Sequence, residues 1–311
     1  MRRRLAILAD QFGWHVQDLL RAACALRIEA EVVGFRRLCW EGSGTGRQRV
    51  LGTALEAGSE RAPVVLLEET GAKAVDAVVV RCLPAGSLEQ IVFRLDVLHV
   101  LDTHGVLVLN PPRALELAVD KTLSLALLQR AGLPVPRTAV AENRFDALEA
   151  FRSLGGDVVV KPLFGSEGRG IHRIREQEEA RRVLTVLEEL RCVLYVQEYI
   201  DDVEADVRVL VLAGEVLAAV RRRHANDWRH NAARGAVTTA HKLDAHAARL
   251  AIAAAGELGA VFAGVDLLYS SSRGVLVVEV NAVPGWRATR RATGVDVAAK
   301  LLDYVVRRVG R

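Results

Sequence analysis

The sequence predicts an α/β layer at the amino terminus followed by a larger α+β body, on three observations. Over the first third, short apolar runs alternate with stretches of helical period, the pattern of βαβ units on a parallel sheet. Beyond the breaker Asn110-Pro111-Pro112, strands and helices follow one another with Gly-rich turns between them. Two long apolar stretches parted by Gly214 then read as an antiparallel hairpin.

Taken in order, Leu5–Ala9 is a buried-strand run, Val16–Leu26 has helical periodicity and Ala30–Phe35 is apolar again. Glu41–Arg49 (EGSGTGRQR), with Gly42, Gly44 and Gly46, reads as a mobile connection, since it follows Trp40 rather than a clean strand; a phosphate cradle is the less favoured reading. Ala77–Val80 and Val106–Leu109 repeat the strand signal around a Leu88–Leu101 helix. Ala114–Arg130 is helical, interrupted near Asp120, a plausible N-cap. From Thr138 the pattern runs strand, helix (Arg144–Leu154), strand (Val158–Lys161), Gly-rich turn, strand (Gly170–Arg173), helix (Glu176–Glu189) and strand (Leu194–Tyr199). Asp206–Leu212 and Glu215–Arg221 form the hairpin, and a polar loop covers Arg223–Gly235. A helix (Ala245–Leu258), two strands (Gly264–Tyr269 and Gly274–Val280) and a closing helix (Val295–Val309) complete the chain. The expected boundaries are 1–110, 111–200 and 201–311.

The composition supports a folded protein. Of 311 residues, 51% are hydrophobic and 26% charged, which excludes a disordered chain. The net charge of +4 comes from scattered basic residues, not the dense stripe of a nucleic-acid binder, so no nucleic-acid partner is expected. Five lysines stand among 37 arginines, which makes each lysine worth a question. Cys24, Cys39, Cys82 and Cys192 form no Cys-x-x-Cys pair and fit reduced thiols better than a disulfide frame or a zinc site. The start MRRRLAILADQF has too short an apolar stretch for a signal peptide, and no run is long enough to span a membrane, so a cytoplasmic protein is expected.

Three constellations carry chemistry. In VVVKPLFGSEGRG an apolar strand delivers Lys161, and Gly165, Gly168 and Gly170 let the backbone approach anionic oxygens; a plain Gly-rich turn is the bland alternative. The Lys precedes the glycines, so this is not a P-loop. Asp266, Glu279 and Asn281 lie in very apolar strands, with 279 and 281 on one face by the period-two rule. Two carboxylates and an amide are hard oxygen donors that suit Mg²⁺; structural acids facing arginines are the alternative. The stretch Arg221-Arg222-Arg223 through Arg229, Asn231 and Arg234 is either a solvated loop or an anion clamp, with His224 and His230 as titratable neighbours.

Read in order, NPPRALELAVDKTLSLALLQRAGLPVPRT, VVVKPLFGSEGRGI, YVQEYI, ADVRVLVL, DWRHNAARGA, AGVDLL, VEVNAVPGW and ATGVDVA resemble the ATP-grasp superfamily, and within it the RimK-like amino-acid ligases. The resemblance covers the chain from about Asn110 to its end and implies an ATP-grasp fold behind a pre-ATP-grasp βαβ domain. It implies that Lys121 and Lys161 hold nucleotide phosphates, that the main chain of Gln197, Glu198, Tyr199 and Ile200 reads adenine, and that Asp206 meets the ribose. Arg208 is placed near substrate or phosphate, Arg229, His230 and Asn231 near the triphosphate, and Arg234 at the start of an Arg-Gly pair, with Arg208, Asn231 and Arg234 as the catalytic candidates. Asp266, Glu279 and Asn281 match ligands of Mg²⁺ or Mn²⁺. His230 stands where Ser or Thr is usual, and Ala236 replaces a second Gly.

The activity implied is an ATP-dependent carboxylate–amine ligase adding L-glutamate to an acceptor carboxylate through an acyl phosphate, in a homodimer or homotetramer. The runs RCLPAGSLEQIVFRLD and NAVPGW are similar to the branch linked to tetrahydromethanopterin-type cofactors. A ribosomal-protein tail and an acidic carrier protein of a lysine pathway are the other acceptors, and a non-catalytic nucleotide-binding regulator is the reading from another class.

Overall fold

The run Leu5–Ala9 forms most of β1 (Arg4–Ala9), every residue of it buried, because a parallel strand covered on both faces must be apolar throughout. The computed structural model describes residues 3–44, 46–55, 63–68, 73–165, 170–224 and 236–310. After β1 come α1 (Trp14–Ala25) and β2 (Glu29–Gly34), the first βαβ step. An antiparallel trio follows: β3 (Cys39–Gly42), β4 (Gln48–Thr53) and β5 (Pro63–Leu67). Then β6 (Ala77–Val80), α2 (Leu88–Thr103), β7 (Leu107–Leu109) and α3 (Pro112–Val119) return to the parallel sheet, whose order is β2-β1-β6-β7.

The Gly-rich segment Glu41–Arg49 is not the connection its composition predicts. It is a hairpin in which Trp40 pairs with Val50, Glu41 with Arg49 and Gly42 with Gln48. The Trp40 indole N–H donates to the Gln48 amide oxygen at 3.1 Å. A Cβ at residue 42 would stand 2.6 Å from the Trp40 ring, so glycine there answers a close approach rather than a phosphate. All four residues of β3 are exposed, which is why no inward-facing apolar face marked it as a strand.

Asp120 caps α4 (Lys121–Arg130), accepting from the N–H groups of Thr122 and Leu123 at 2.9 Å each. A four-stranded antiparallel sheet follows from β8 (Thr138–Ala141), α5 (Arg144–Ser153), β9 (Val158–Lys161), β10 (His172–Ile174), α6 (Gln177–Glu189) and β11 (Leu194–Glu198), in the order β10-β9-β11-β8. Phe151, Ala180 and Leu184 of its helices pack on Val158, Val160 and Val196. Next, β12 (Val203–Leu212) and β13 (Glu215–Arg223) turn at Ala213-Gly214. With β14 (Val237–Ala240), α7 (Ala245–Glu257), β15 (Phe262–Ser270) and β16 (Gly274–Asn281) they build a five-stranded sheet in the order β14-β13-β12-β15-β16. A short helix not predicted from the sequence, α8 (Arg287–Thr293), ends at Gly294 in the left-handed conformation and precedes the predicted closing helix, α9 (Val297–Val309), which Asp296 caps.

Contacts group the chain into two compact units rather than three consecutive segments. One comprises Met1–Glu116, Gly259–Ala263 and Ala282–Arg311, and the other Leu117–Leu258 and Gly264–Asn281. Asn110 is one reason the late segments belong to the first unit. Its amide N–H groups donate to the carbonyls of Phe262, at 2.6 Å, and Ala282, while its oxygen accepts from the Phe262 N–H at 2.8 Å. Trp286 is fully buried in the same unit, and α9 packs on α1. No described helix is long and apolar enough to cross a membrane.

Replacing Asn110 by Ala leaves one buried donor and two buried acceptors without partners. The Asn110→Ala protein is expected to lose roughly 2–4 kcal/mol of stability, read as a lower denaturant midpoint with unchanged slope; an unchanged midpoint contradicts this role.

Candidate active site

Strand alternation sets the first half of the site. Along β9, Val158 and Val160 enter the core under α5 and α6, so Val159 and Lys161 point to the other face. On β11, Tyr195 pairs with Lys161 and Gln197 with Val159, which brings Lys161, Tyr195 and Gln197 to one face. The Lys161 ammonium donates to the Gln197 amide oxygen at 2.6 Å, while the Gln197 NH₂ donates to Thr138 Oγ1 at 2.8 Å and to the Tyr195 hydroxyl at 3.3 Å. Lys121, at the first position of α4, and Glu279, on β16, complete a pocket with Lys161 and Tyr195, walled by Leu125 and Leu128.

Two lysines and one carboxylate share this space. Burial pushes the Lys161 ammonium down to about 8, against the pull of Glu279 and with a further push from Lys121. Lys121 is lowered too, by burial, with Glu279 opposing. Its ammonium donates to the carbonyls of Leu163 and Gly165 at 3.0 Å each, and so ties the start of the Gly-rich turn to α4. Gly170, at φ +71°, closes the described part of that turn. Burial also raises the Tyr195 phenol to about 12, so it stays neutral.

The second half lies on the five-stranded sheet. Asp206 and Arg208 alternate outward between the buried Ala205, Val207 and Val209. Arg208 grips Asp266 with two parallel bonds, Nε to Oδ1 and Nη2 to Oδ2, both 2.7 Å. Arg222 bridges the acids, donating from Nε to Asp206 Oδ1 at 2.7 Å and from Nη1 to Asp266 Oδ2 at 3.3 Å. Burial works against the Arg208 charge, yet Asp266 holds it above the ordinary arginine range. For Asp266 burial is likewise outweighed, and the two guanidiniums keep it ionised. Burial and the neighbouring Asp266 charge raise Asp206 to about 6 despite Arg222. Asp266 pairs across the ladder with Glu279, and Gly264 with Asn281.

This donor set suits a hard divalent cation, because two carboxylates and an amide lie on the adjacent strands β15 and β16, with Asp266 directly across from Glu279. Glu279 and Asn281 straddle the buried Val280 and face the same way. Asp266 differs from the simple expectation in sharing its oxygens with two guanidiniums. Among the described residues no trio of His, Cys, Asp and Glu forms a metal cluster, so the amide of Asn281 is needed to complete three ligands.

At the end of β11 the Glu198 N–H donates to the Arg137 carbonyl and the Tyr199 N–H to that of Asp157, both at 3.0 Å. The Glu198 carboxylate accepts from the Arg137 N–H at 2.6 Å and from Arg137 Nε at 2.8 Å, and is also bound by Arg273. Burial notwithstanding, these bonds keep it ionised. The Arg173 guanidinium sits 3.3 Å from the Tyr199 ring centre, and Ile200 is buried. Gly168, Arg229, His230, Asn231 and Arg234 lie outside the described residues.

The structure thus brings Lys121, Lys161, Gln197 and Glu279 together in one group and Asp206, Arg208 and Asp266 in another. Sequence reasoning assigned neither Tyr195 nor the Gln197 side chain to the pocket; two-residue alternation from Lys161 through the antiparallel register finds both. Arg222 was read as part of a loop clamp, whereas it is a buried strand residue only 4% exposed, committed to Asp206 and Asp266.

Residues 118–305 match the RimK-like ATP-grasp domain. This chain belongs to the RimK-like ATP-grasp family. It is 32% identical over 259 residues to the tetrahydromethanopterin:alpha-L-glutamate ligase of Methanosarcina acetivorans, covering 74% of this chain and 80% of that protein. It is 37% identical over 202 residues to the ribosomal protein bS6–L-glutamate ligase of Salmonella paratyphi B, covering 64% and 67% respectively. Among solved structures, the ATP-grasp ligase PsnB complexed with minimal precursor, Mg and ADP shares the fold with a TM-score of 0.73 at 20% identity, over 98% of this chain and 97% of that one.

In this RimK-like ATP-grasp chain the enclosed Lys161 has a measurable signature. Its folded pKa near 8 lies below its ordinary value of 10.5. Below pH 8 both folded and unfolded chains carry the proton, and the burial penalty is fully present. Between about 8 and 10.5 the folded chain sheds the proton first, so stability rises. Denaturant midpoints of wild type and Lys161→Met, compared from pH 7 to 10, are expected to shift in favour of wild type as pH rises; a gap independent of pH contradicts the assignment.

Proposed function

We propose that this chain is an ATP- and magnesium-dependent carboxylate–amine ligase that adds L-glutamate to an acceptor carboxylate, with a tetrahydromethanopterin-like cofactor as the acceptor. The observation that carries the reading is the enclosed pair Lys121 and Lys161 facing Glu279. A buried cation held against its own desolvation is a receptor for anionic oxygens. Lys161 and Lys121 bind nucleotide phosphates in this reading, and the backbone at Gly165, Gly168 and Gly170 covers them. The main chain of residues 197–200 takes adenine, and Asp206 the ribose, through the carboxylate oxygen not engaged by Arg222 in the bonds described above. Arg229, His230 and Asn231 stand near the triphosphate.

Asp266, Glu279 and Asn281 would hold magnesium, which when bound screens charge between the phosphates and the incoming carboxylate. The acceptor carboxylate oxygen attacks the γ-phosphorus, the bond to the β-γ bridging oxygen breaks, and ADP leaves. The glutamate amine then attacks the acyl carbon, loses a proton and expels inorganic phosphate as the amide forms. Arg208, Asn231 and Arg234 hold the reacting groups and offset their negative charge. No nucleophilic side chain is needed, because positioning, charge compensation and exclusion of water from the acyl phosphate do the catalysis.

Support for the small acceptor is that the match to the cofactor ligase extends over more of this chain than the match to the ribosomal-protein ligase. The test is release of ADP and phosphate with ATP, Mg²⁺, L-glutamate and a panel of acceptors: a pterin C1 carrier, an acidic carrier protein and a ribosomal-protein tail. Mass spectrometry is expected to find whole glutamyl additions on the pterin carrier. Additions on another acceptor overturn the cofactor reading, and nucleotide binding without turnover on any of them favours a non-catalytic binder.

Two variants locate the roles. Lys161→Ala is expected to cut turnover about 10²-fold or more with the fold retained, and near-normal turnover contradicts its phosphate role. Glu279→Gln is expected to move the magnesium titration to higher concentration; an unchanged curve removes Glu279 from the metal set.

A further inference from the structure

The first compact unit has a half-buried cation, Arg81, that the ligase reading does not use. In its parallel sheet the chain leaves β1 toward β2 on one side and leaves β6 toward β7 on the other, so the topological switch lies between β1 and β6. Open parallel sheets bind ligands at the carboxyl ends of their strands at such a point. Arg81 stands there, one residue beyond β6, and its N–H donates to the Leu8 carbonyl of β1 at 2.8 Å.

The Arg81 guanidinium lies over the Trp286 ring, 4.5 Å from its centre, and Nη1 donates to the Pro284 carbonyl at 3.2 Å. Its Nε–H is shut off from solvent and meets no acceptor among the described residues. The nearby acids are committed elsewhere. Asp10 pairs with Arg36 at 2.9 Å, and Asp18 accepts from the Trp286 indole at 2.9 Å and from Arg21 at 3.0 Å, and is bound by Arg290. Cys82, the neighbour in sequence, is a neutral thiol pushed up to about 11 by burial. Burial accordingly holds Arg81 itself down to about 10.

His15 lies edge-on to Trp286, their ring centres 4.8 Å apart, and feels the Arg81 charge. The Trp286 backbone N–H donates to His15 Nε2 at 3.0 Å, which leaves the hydrogen on Nδ1 and the ring neutral. Burial and the Arg81 charge lower its pKa to about 4, so it remains a neutral donor at physiological pH. It is the second residue of α1, whose Gly13 cap supplies no side-chain acceptor. The runs RCLPAG and NAVPGW, distant in sequence, meet here through Arg81 and Trp286.

We propose that the first unit carries a carboxylate-binding site at the β1/β6 switch, with Arg81 as its charged anchor and His15 as a neutral donor beside it. A half-buried guanidinium whose Nε–H is enclosed and unused, with no carboxylate bonded to it among the described residues, is compensated by an anion brought from outside. Guanidinium forks suit carboxylate and phosphate alike; the choice of carboxylate rests on the ligase reading, whose amino acid and acceptor both carry that group. Arg81 is a specificity and positioning residue in this account.

The test uses the full chain without nucleotide or magnesium, so that its outcome is independent of ligase activity. Glutarate and L-glutamate are the carboxylate probes and inorganic phosphate the alternative, with binding followed by calorimetry. In parallel, the Arg81 Nε–H resonance of the wild type, assigned by its loss in Arg81→Lys, is followed by NMR. Glutarate or glutamate is expected to bind and shift that resonance, with affinity at least about tenfold weaker in Arg81→Met and intermediate in Arg81→Lys. Binding of phosphate but neither carboxylate, carboxylate binding unchanged in Arg81→Met, or a wild-type resonance that does not move, each overturns the proposal. A chain that binds glutarate here yet ligates nothing keeps this site and loses the ligase reading.

Discussion

Enclosing the Lys161 ammonium is the constraint on which the second unit turns. A lone cation taken out of water costs several kcal/mol unless something answers it. Among the described residues Gln197 supplies the direct acceptor, and that amide is itself fixed by Thr138 and Tyr195. The four side chains come from β8, β9 and β11, so the hydrogen-bond chain depends on the antiparallel register of the sheet beneath it. Val158 and Val160 on the reverse side of β9 anchor that register in the core. The pocket is thus a consequence of strand alternation: burying one face of VVVK presents the lysine on the other.

The five-stranded sheet treats charge differently. Asp206, Arg208, Arg222 and Asp266 neutralise one another through the four bonds given above, and Asp266 belongs to both guanidiniums. Buried ion pairs of this kind contribute little net stability and fix geometry instead. Glu279 makes none of those bonds, and its charge acts on Lys161 and Lys121 as well as on Arg208. The face therefore offers a positive end at the lysines and an oxygen-rich end at Glu279 and Asn281, the polarity that nucleotide phosphates with a divalent cation require.

Much of this was legible in the sequence because local rules and tertiary demands agree. Asp120 reads as a helix cap and caps α4; Val158–Lys161 reads as a strand and is one, residue for residue. The hairpin at 39–53 escaped because β3 is exposed throughout and its glycines suggest a connection, while the ring of Trp40 is what demands Gly42. Arg222 was misplaced because a run of three arginines looks solvated, and only the pairing with Asp206 across the ladder shows that the middle one points inward. The grouping of the carboxy-terminal helices with the first unit is a tertiary fact carried by residues such as Asn110 and Trp286, whose partners lie far away in sequence. Periodicity does not report such contacts.

The central claim is that Lys161 is held as a partly desolvated cation until phosphate compensates it. Five lysines make the chain well suited to NMR titration of isotope-labelled lysine side chains, with Lys161 assigned by Lys161→Met. The account predicts that Lys161 titrates near 8 in the free protein and well above that, at or beyond the ordinary lysine value of 10.5, with ADP and Mg²⁺ bound. An ordinary value in the free protein, unmoved by nucleotide, would contradict it.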